Sequence, residues 1–280
     1  MEIPSFLFPE RRHRVIGRND LFRENAMGQP ATAALAPLPF ELVDSDEEPL
    51  ETDWHFRQLP LLREVIQRAM AELGRTDFCV GTNMFVYYSV EQAAEVAHEV
   101  AKKLKPRAFR GPDAFWAGGV SGHLRRYWAA WEEGGRLPDM FIELMSPTTA
   151  KIDRTVKKDL YAQVFQTKEY FMVDPDTLKV EGFDLVGRVY QPKKPTAQGR
   201  LWCSQLRAYL GFWRGVWTDA EADWVRLFRL DGSVLPTKTE AAEQRTEAAE
   251  QRAEAERQRA ESAEAELARL RALLENRDRG

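Results

Sequence analysis

The sequence predicts an α/β domain: a mixed β-sheet flanked by helices, followed by an α-helical tail. Three observations carry this. Strand-like and helix-like segments alternate between residues 59 and 175. Hairpin-like strands follow, rich in aromatic and β-branched residues. A heptad pattern then runs through residues 239–276. Alternation followed by hairpins is the signature of a sheet with both parallel and antiparallel pairs.

Residues 1–51 read as a weakly ordered arm. GQPATAALAPLP and VDSDEEPLETD hold Pro, Ala and acids without a sustained apolar period. The domain itself is expected over 52–235. Its first helix is expected over 59–73, with Pro60 in the first turn and Leu61, Leu62, Val65, Ile66, Met70 and Leu73 on one face. DFCVGTNMFVYY (77–88) reads as one strand. Ser89 caps a helix over 90–104, which ends before Pro106. GPDAFWAGGV (111–120) and 140–145 are further strands. A helix is expected over 149–165, capped by Ser146 or Thr148. Val156, Leu160 and Val164 form the apolar stripe that would seat it on the sheet. EYFMVDP (169–175) is a strand that turns into the hairpin KVEGFDLVGRVYQP, and Trp-rich residues 199–232 close the domain.

The tail, residues 236–280, is separate in character. TEAAEQR occurs at 239–245 and again at 246–252. Positions 242, 246, 249, 253, 256, 260, 263, 267, 270 and 274 alternate four and three apart. They hold Ala, Thr, Ala, Ala, Glu, Ala, Ala, Leu, Leu and Leu. This seam fits a coiled coil that makes the chain a homo-oligomer through residues 239–276. A solvated single helix is the competing reading, because an alanine seam buries little area.

Composition bounds the function. The 280 residues carry a net charge of −4 and 44% apolar residues. The charge is unevenly spread: 41–53 holds seven acids and no base, whereas 102–158 holds twelve Lys and Arg against six Asp and Glu. No apolar run approaches the ~20 residues of a membrane span. Cys79 and Cys203 lack metal-ligand spacing and read as reduced thiols of a cytoplasmic protein. GGVSG (118–122) lacks nucleophile-elbow spacing, and no phosphate-binding glycine loop occurs.

The chemistry concentrates in LPDMFIELMSPTTAKIDRTVKKDLY (137–161). Strand alternation puts Asp139 and Glu143 on one face. Four residues of strand, however, separate them by ~13 Å. Two oxygens on one Mg²⁺, each at ~2.1 Å, lie within about 4 Å of each other. Asp139 therefore reads as a strand-start residue, and Glu143 needs a partner from a neighbouring strand ~4.8 Å away. Asp113, which opens a short strand, is the candidate. Asp153, Lys157 and Tyr161 fall at i, i+4 and i+8 and share a helix stripe. Two carboxylates on Mg²⁺ (or Mn²⁺) with an ammonium nearby would suit phosphodiester hydrolysis.

GPD (111–113), ELMSPT (143–148), DRTVKKDLY (153–161) and EYFMVDP (169–175) together resemble the Uma-two endonucleases. These are a restriction-endonuclease-like family of the PD-(D/E)XK nuclease superfamily. The resemblance covers roughly residues 55 to 235. It implies a restriction-endonuclease-like sheet, with Asp113 and Glu143 as metal ligands and Lys157 as the catalytic lysine. Asp153 and Tyr161 would be supporting residues. The superfamily pattern expects the lysine two residues after the acid, but Met145 stands there. The family's lysine comes from the following helix, four residues before a tyrosine, and Lys157 before Tyr161 matches that placement.

The expected partner is nucleic acid, namely DNA. Lys102, Lys103, Arg107, Arg110, Arg125 and Arg126 are candidates to track its phosphates. The competing reading is a catalytically weak or inactive nuclease-fold protein that binds DNA or assembles through the tail. The missing strand lysine and the heptads motivate it.

Overall fold

The computed structural model describes residues 38–42, 52–102, 111–147 and 149–277. Most of the arm expected over 1–51 lies outside them. Within 38–42, Phe40 and Leu42 pack against a cluster of Phe85, Tyr87, Ala93, Val96 and Ala129. The chain forms two compact units that meet in sequence at Val234 and Leu235.

The first unit is a mixed α/β domain. Helix α1 spans Asp53–Glu72. It starts a turn and a half before the expected position, because the Thr52 hydroxyl accepts from His55 N (3.3 Å) and caps it. Pro60 therefore lies inside the helix rather than in its first turn. It is tolerated on the outer side: Pro60 and Phe56, whose carbonyl loses its usual partner, are both exposed to water. Gln58 is buried and exchanges two hydrogen bonds with the Val225 backbone, at 3.0 and 2.8 Å.

The expected single strand over 77–88 is two strands, β1 (Phe78–Thr82) and β2 (Val86–Tyr87). Asn83, at φ 47°, breaks the run between them. Asn adopts this left-handed conformation more readily than most residues. Helix α2 (Val90–Ala101) has Ser89 as its cap, accepting from Gln92 N at 3.1 Å. Strand β3 (Ala114–Gly118), the short β4 (Trp128–Ala129) and β5 (Met140–Leu144) follow.

A helical stretch over 150–165, here α3, leads into β6 (Glu169–Asp174). Ordinary α-turns at Ala150–Ile152 and Lys158–Leu160 alternate with wider π-turns at Asp153–Lys157 and Tyr161–Phe165. Ser146 begins the first turn, its Oγ accepting from Thr149 N at 3.1 Å. Thr148, the other expected cap, lies outside the described residues. The hairpin is β7 (Lys179–Val186) and β8 (Val189–Pro192).

The main sheet has the order β1-β3-β5-β6-β7-β8. Only β5 and β6 within it are parallel, joined through α3; the remaining pairs are antiparallel. Strands β9 (Leu201–Cys203), β10 (Ala208–Trp217) and β11 (Ala220–Phe228) form a separate antiparallel sheet. Tyr161, Ala162 and Phe165 of α3 pack over Phe115, Phe141, Tyr170 and Met172 on one face of the main sheet.

In the second unit, helix α4 runs through Lys238–Arg277, about 60 Å at 1.5 Å per residue. Thr237 and Glu240 begin it with reciprocal bonds: Glu240 N to Thr237 Oγ1 (3.2 Å) and Thr237 N to Glu240 Oε2 (2.7 Å). This pairing satisfies two donors at the helix start. Among the described residues, no helix is long and apolar enough to cross a membrane.

Candidate active site

The β3–β5 ladder brings the two carboxylates together. It pairs Ala114 with Ile142 and Phe115 with Phe141. One step further, in the same antiparallel register, Asp113 stands opposite Glu143. The side chains hold each other's strands: Asp113 Oδ2 accepts from Leu144 N (2.6 Å), and Glu143 Oε2 accepts from Asp113 N (3.3 Å). Asp113 O also accepts from Asn83 N at 2.9 Å, so the turn that splits β1 from β2 fixes this corner.

Glu143 is fully buried, and such a group needs partners. Tyr161 donates its hydroxyl hydrogen to Oε1 (2.7 Å), and Lys157 Nζ donates to Oε2 (2.9 Å). Lys157 Nζ also lies 2.9 Å from Asp153 Oδ1 as an ion pair. That oxygen has no aligned hydrogen-bond donor among the described residues. Among the described residues, Tyr161 thus contacts Glu143 directly through its hydroxyl.

The helix face that delivers Lys157 differs from expectation. Val156 is 55% exposed and does not seat α3; Leu160 and Val164 are only partly buried. Asp153, Tyr161, Ala162 and Phe165 point to the sheet instead. The π-turns widen the helix and rotate later residues relative to a regular 3.6-residue period. The stripe Asp153, Lys157, Tyr161 consequently faces inward, where Lys157 and Tyr161 meet Glu143 and Asp153 pairs with Lys157. Tyr170 of β6, absent from the candidates, donates to Asp153 O at 3.1 Å within the π-turn. Its only signal is the β5–β6 register, which pairs Tyr170 with Phe141 and so places it on the Glu143 face.

The electrostatics follow from burial. Desolvation raises the Glu143 carboxyl to about 8, with Asp113 and Asp153 adding to the rise and Lys157 and Tyr161 opposing it. Burial raises Asp113 as well, against the pull of Lys157. For Lys157, burial lowers the pKa, but Glu143, Asp153 and Asp113 outweigh it and hold the amine above its ordinary value. Lys157 is therefore an ammonium at neutral pH.

These residues fit a hard divalent cation. Among the described residues no three His, Cys, Asp or Glu side chains converge on one point. Mg²⁺ is commonly held by one or two carboxylates, with water and phosphate oxygens completing its shell. Asp113 and Glu143 provide such a pair; burial raises both carboxyls, Asp113 adds to the rise of Glu143, and the hydrogen bond to Glu143 opposes that of Asp113.

Other candidates are placed elsewhere. Asp139 is buried at the opposite end of β5, where Oδ2 accepts from Gly118 N (3.0 Å) and Oδ1 pairs with Lys168 (2.9 Å). Arg125 is a correction to the phosphate-tracking set. Its side chain is 3% exposed, bonded through Nε and Nη2 to Glu133 at 2.5 and 3.0 Å, and lies over Trp128. Burial of Trp128 draws the guanidinium inward, and Glu133 neutralises it. Lys102 and Arg126 are exposed. Lys103, Arg107 and Arg110 lie outside the described residues.

The acids and the lysine thus gather on one face of the mixed sheet of an α/β domain. The sequence matches the profile of the Uma2 family, described as putative restriction endonucleases, over residues 46–219. That is more than half of the chain, and the protein belongs to this family. A solved structure of a putative nuclease of the DUF820 family from Anabaena variabilis is similar at 12% identity and a TM-score of 0.38. The match covers 56% of this chain and 76% of that one. No curated protein matches the sequence.

Proposed function

We propose that the protein is a metal-dependent endonuclease that hydrolyses phosphodiester bonds in DNA. One observation carries this reading: Asp113 and Glu143 face each other across neighbouring strands, with the Lys157 ammonium 2.9 Å from Glu143. Membership of a family described as putative restriction endonucleases supports DNA as the substrate.

Asp113 and Glu143 would hold Mg²⁺ or Mn²⁺. A bound ion supplies an activated water and neutralises charge developing on the phosphate. Lys157 acts as a fixed positive charge. Its raised pKa makes it a poor proton acceptor, so its contribution is to stabilise negative charge on the phosphate in the transition state. Asp153 keeps Lys157 over Glu143, and Tyr161 holds the second Glu143 oxygen and so orients the carboxylate. Of the candidates proposed to track phosphates, Lys102 and Arg126 are exposed and would meet the DNA backbone.

Purified protein with Mn²⁺ or Mg²⁺ is expected to nick supercoiled plasmid, and Glu143→Ala to abolish nicking. Equal nicking by that variant would overturn the reading. A second reading is favoured by the occupancy of Glu143, whose two oxygens are both engaged by Lys157 and Tyr161. It is a nuclease fold that binds DNA without cutting. Saturable binding of labelled duplex, with no nicking at any divalent ion, would select it.

A further inference from the structure

Helix α4 is continuous, so its heptad positions keep one seam along its length. Residues 249–270 are exposed throughout, including Leu267 (54%) and Leu270 (50%) on that seam. We infer that α4 pairs with α4 of a second copy of this chain as a parallel, in-register two-stranded coiled coil.

The flanking charges select the orientation. With 242, 249, 256, 263 and 270 as d and 246, 253, 260 and 267 as a, the g positions include Arg245, Arg252 and Arg259. The e positions include Glu250, Arg257 and Glu264. A parallel pair sets each g residue against the e residue five further on in the other copy, and these pairs govern orientation. Arg245 then meets Glu250 and Arg259 meets Glu264, each twice by symmetry. Only Arg252 meets a like charge, Arg257. An antiparallel pair with full overlap sets e against e and g against g. Glu250 then meets Glu264, while Arg257 and Arg259 each meet their own copies. Arg252 with Glu266, the next g position, is the one attractive pair among residues 245–266.

The seam agrees. Parallel pairing stacks Leu267 on Leu267 and Leu270 on Leu270, which concentrates apolar burial at one end. Antiparallel pairing would set the same leucines against Ala249 and Thr246. Glu256, facing its own copy, is the layer that parallel pairing penalises. The Lys238 ends of both helices lie side by side in this arrangement, so two copies of the first unit are tethered at one end. If that unit is the nuclease proposed above, each dimer carries two such sites.

Arg252→Glu in the full chain separates the orientations by sign. It converts the repulsion with Arg257 into attraction in the parallel dimer, twice. Sedimentation equilibrium should then show a dimer dissociation constant about tenfold lower than wild type. In the antiparallel dimer the same substitution would turn the attraction to Glu266 into repulsion and weaken association. Ala263→Cys provides an independent reading. A d residue meets its own copy only in the parallel form, so oxidation should give a disulfide-linked dimer. Native Cys79 and Cys203 are buried and should not compete. Weaker association of Arg252→Glu, no Ala263→Cys crosslink, or a monomer at all concentrations would each overturn the inference. None of these readouts requires DNA cleavage, so failure of the nuclease reading leaves them interpretable.

Discussion

Asp113 and Glu143 exchange hydrogen bonds with each other's strands: Asp113 Oδ2 takes the Leu144 N–H, and Glu143 Oε2 takes the Asp113 N–H. Two acids therefore occupy the first open step of the β3–β5 ladder, where backbone pairing would otherwise continue. Carboxylates that replace ladder partners are rigidly placed, and rigid placement is what a cation site requires.

The first consequence is a pH dependence of stability. In metal-free protein both carboxyls titrate above their unfolded values, Glu143 at about 8 against 4.5. Between these pH values the folded state binds more protons than the unfolded state, so stability falls as pH rises. Thermal melts in chelator should show wild type losing more stability than Glu143→Gln from pH 5 to pH 8. Mn²⁺ should reduce that difference, because it replaces the protons. Parallel pH profiles for the two proteins would contradict the buried-acid account.

Lys157→Met tests the fixed positive charge. Nicking should fall by about 10²–10³-fold, the usual effect of removing one transition-state charge partner. Duplex binding should change little, because phosphate attraction is spread over many cations. The variant leaves two buried acids without their cation, at a cost of about 3 kcal/mol. Circular dichroism at the assay temperature separates unfolding from lost chemistry.

Tyr161→Phe removes one hydroxyl and keeps the ring, which stacks on Phe141 at 4.2 Å. Glu143 Oε1 loses its donor, and stability should drop by about 1–3 kcal/mol. The nicking rate should fall roughly tenfold, as the carboxylate is less firmly oriented. A rate equal to wild type would show that Glu143 needs no orienting hydroxyl.

Asp139→Ala should spare nicking and affect folding. The Gly118 N–H would be left buried without an acceptor, costing about 1–3 kcal/mol. Loss of the half-exposed Lys168 partner adds little. A denaturant midpoint unchanged from wild type, or lost cleavage in a folded variant, would contradict the structural role.

Much of the site is readable along the chain. The alternating faces of a strand are a local property, so 140–145 alone separates Glu143 from Asp139. The need of a buried acid for partners points to a second strand, and the Asp-containing start of β3 is the candidate within reach. Lys157 and Asp153 share a helix stripe in any regular helix. Start and end signals at Ser89 and at the 169–192 hairpin are equally local, which explains why those elements fall where their residues suggest.

Tertiary structure decided the rest, because it depends on groups distant in sequence. Which face of α3 turns inward is set by Glu143 and Tyr170 together with the π-turns, so Val156 is left in water although its spacing reads as core. Burial of Arg125 beside Glu133 and Trp128 depends on the packing of the 123–136 segment, whereas sequence reading can register only its charge. The early start of α1 rests on the Thr52 cap, and the division of 77–88 rests on Asn83 turning to meet Asp113. Residue types supplied the acids and the lysine; the ladder register and the helix rotation brought them within 3 Å of one another's partners.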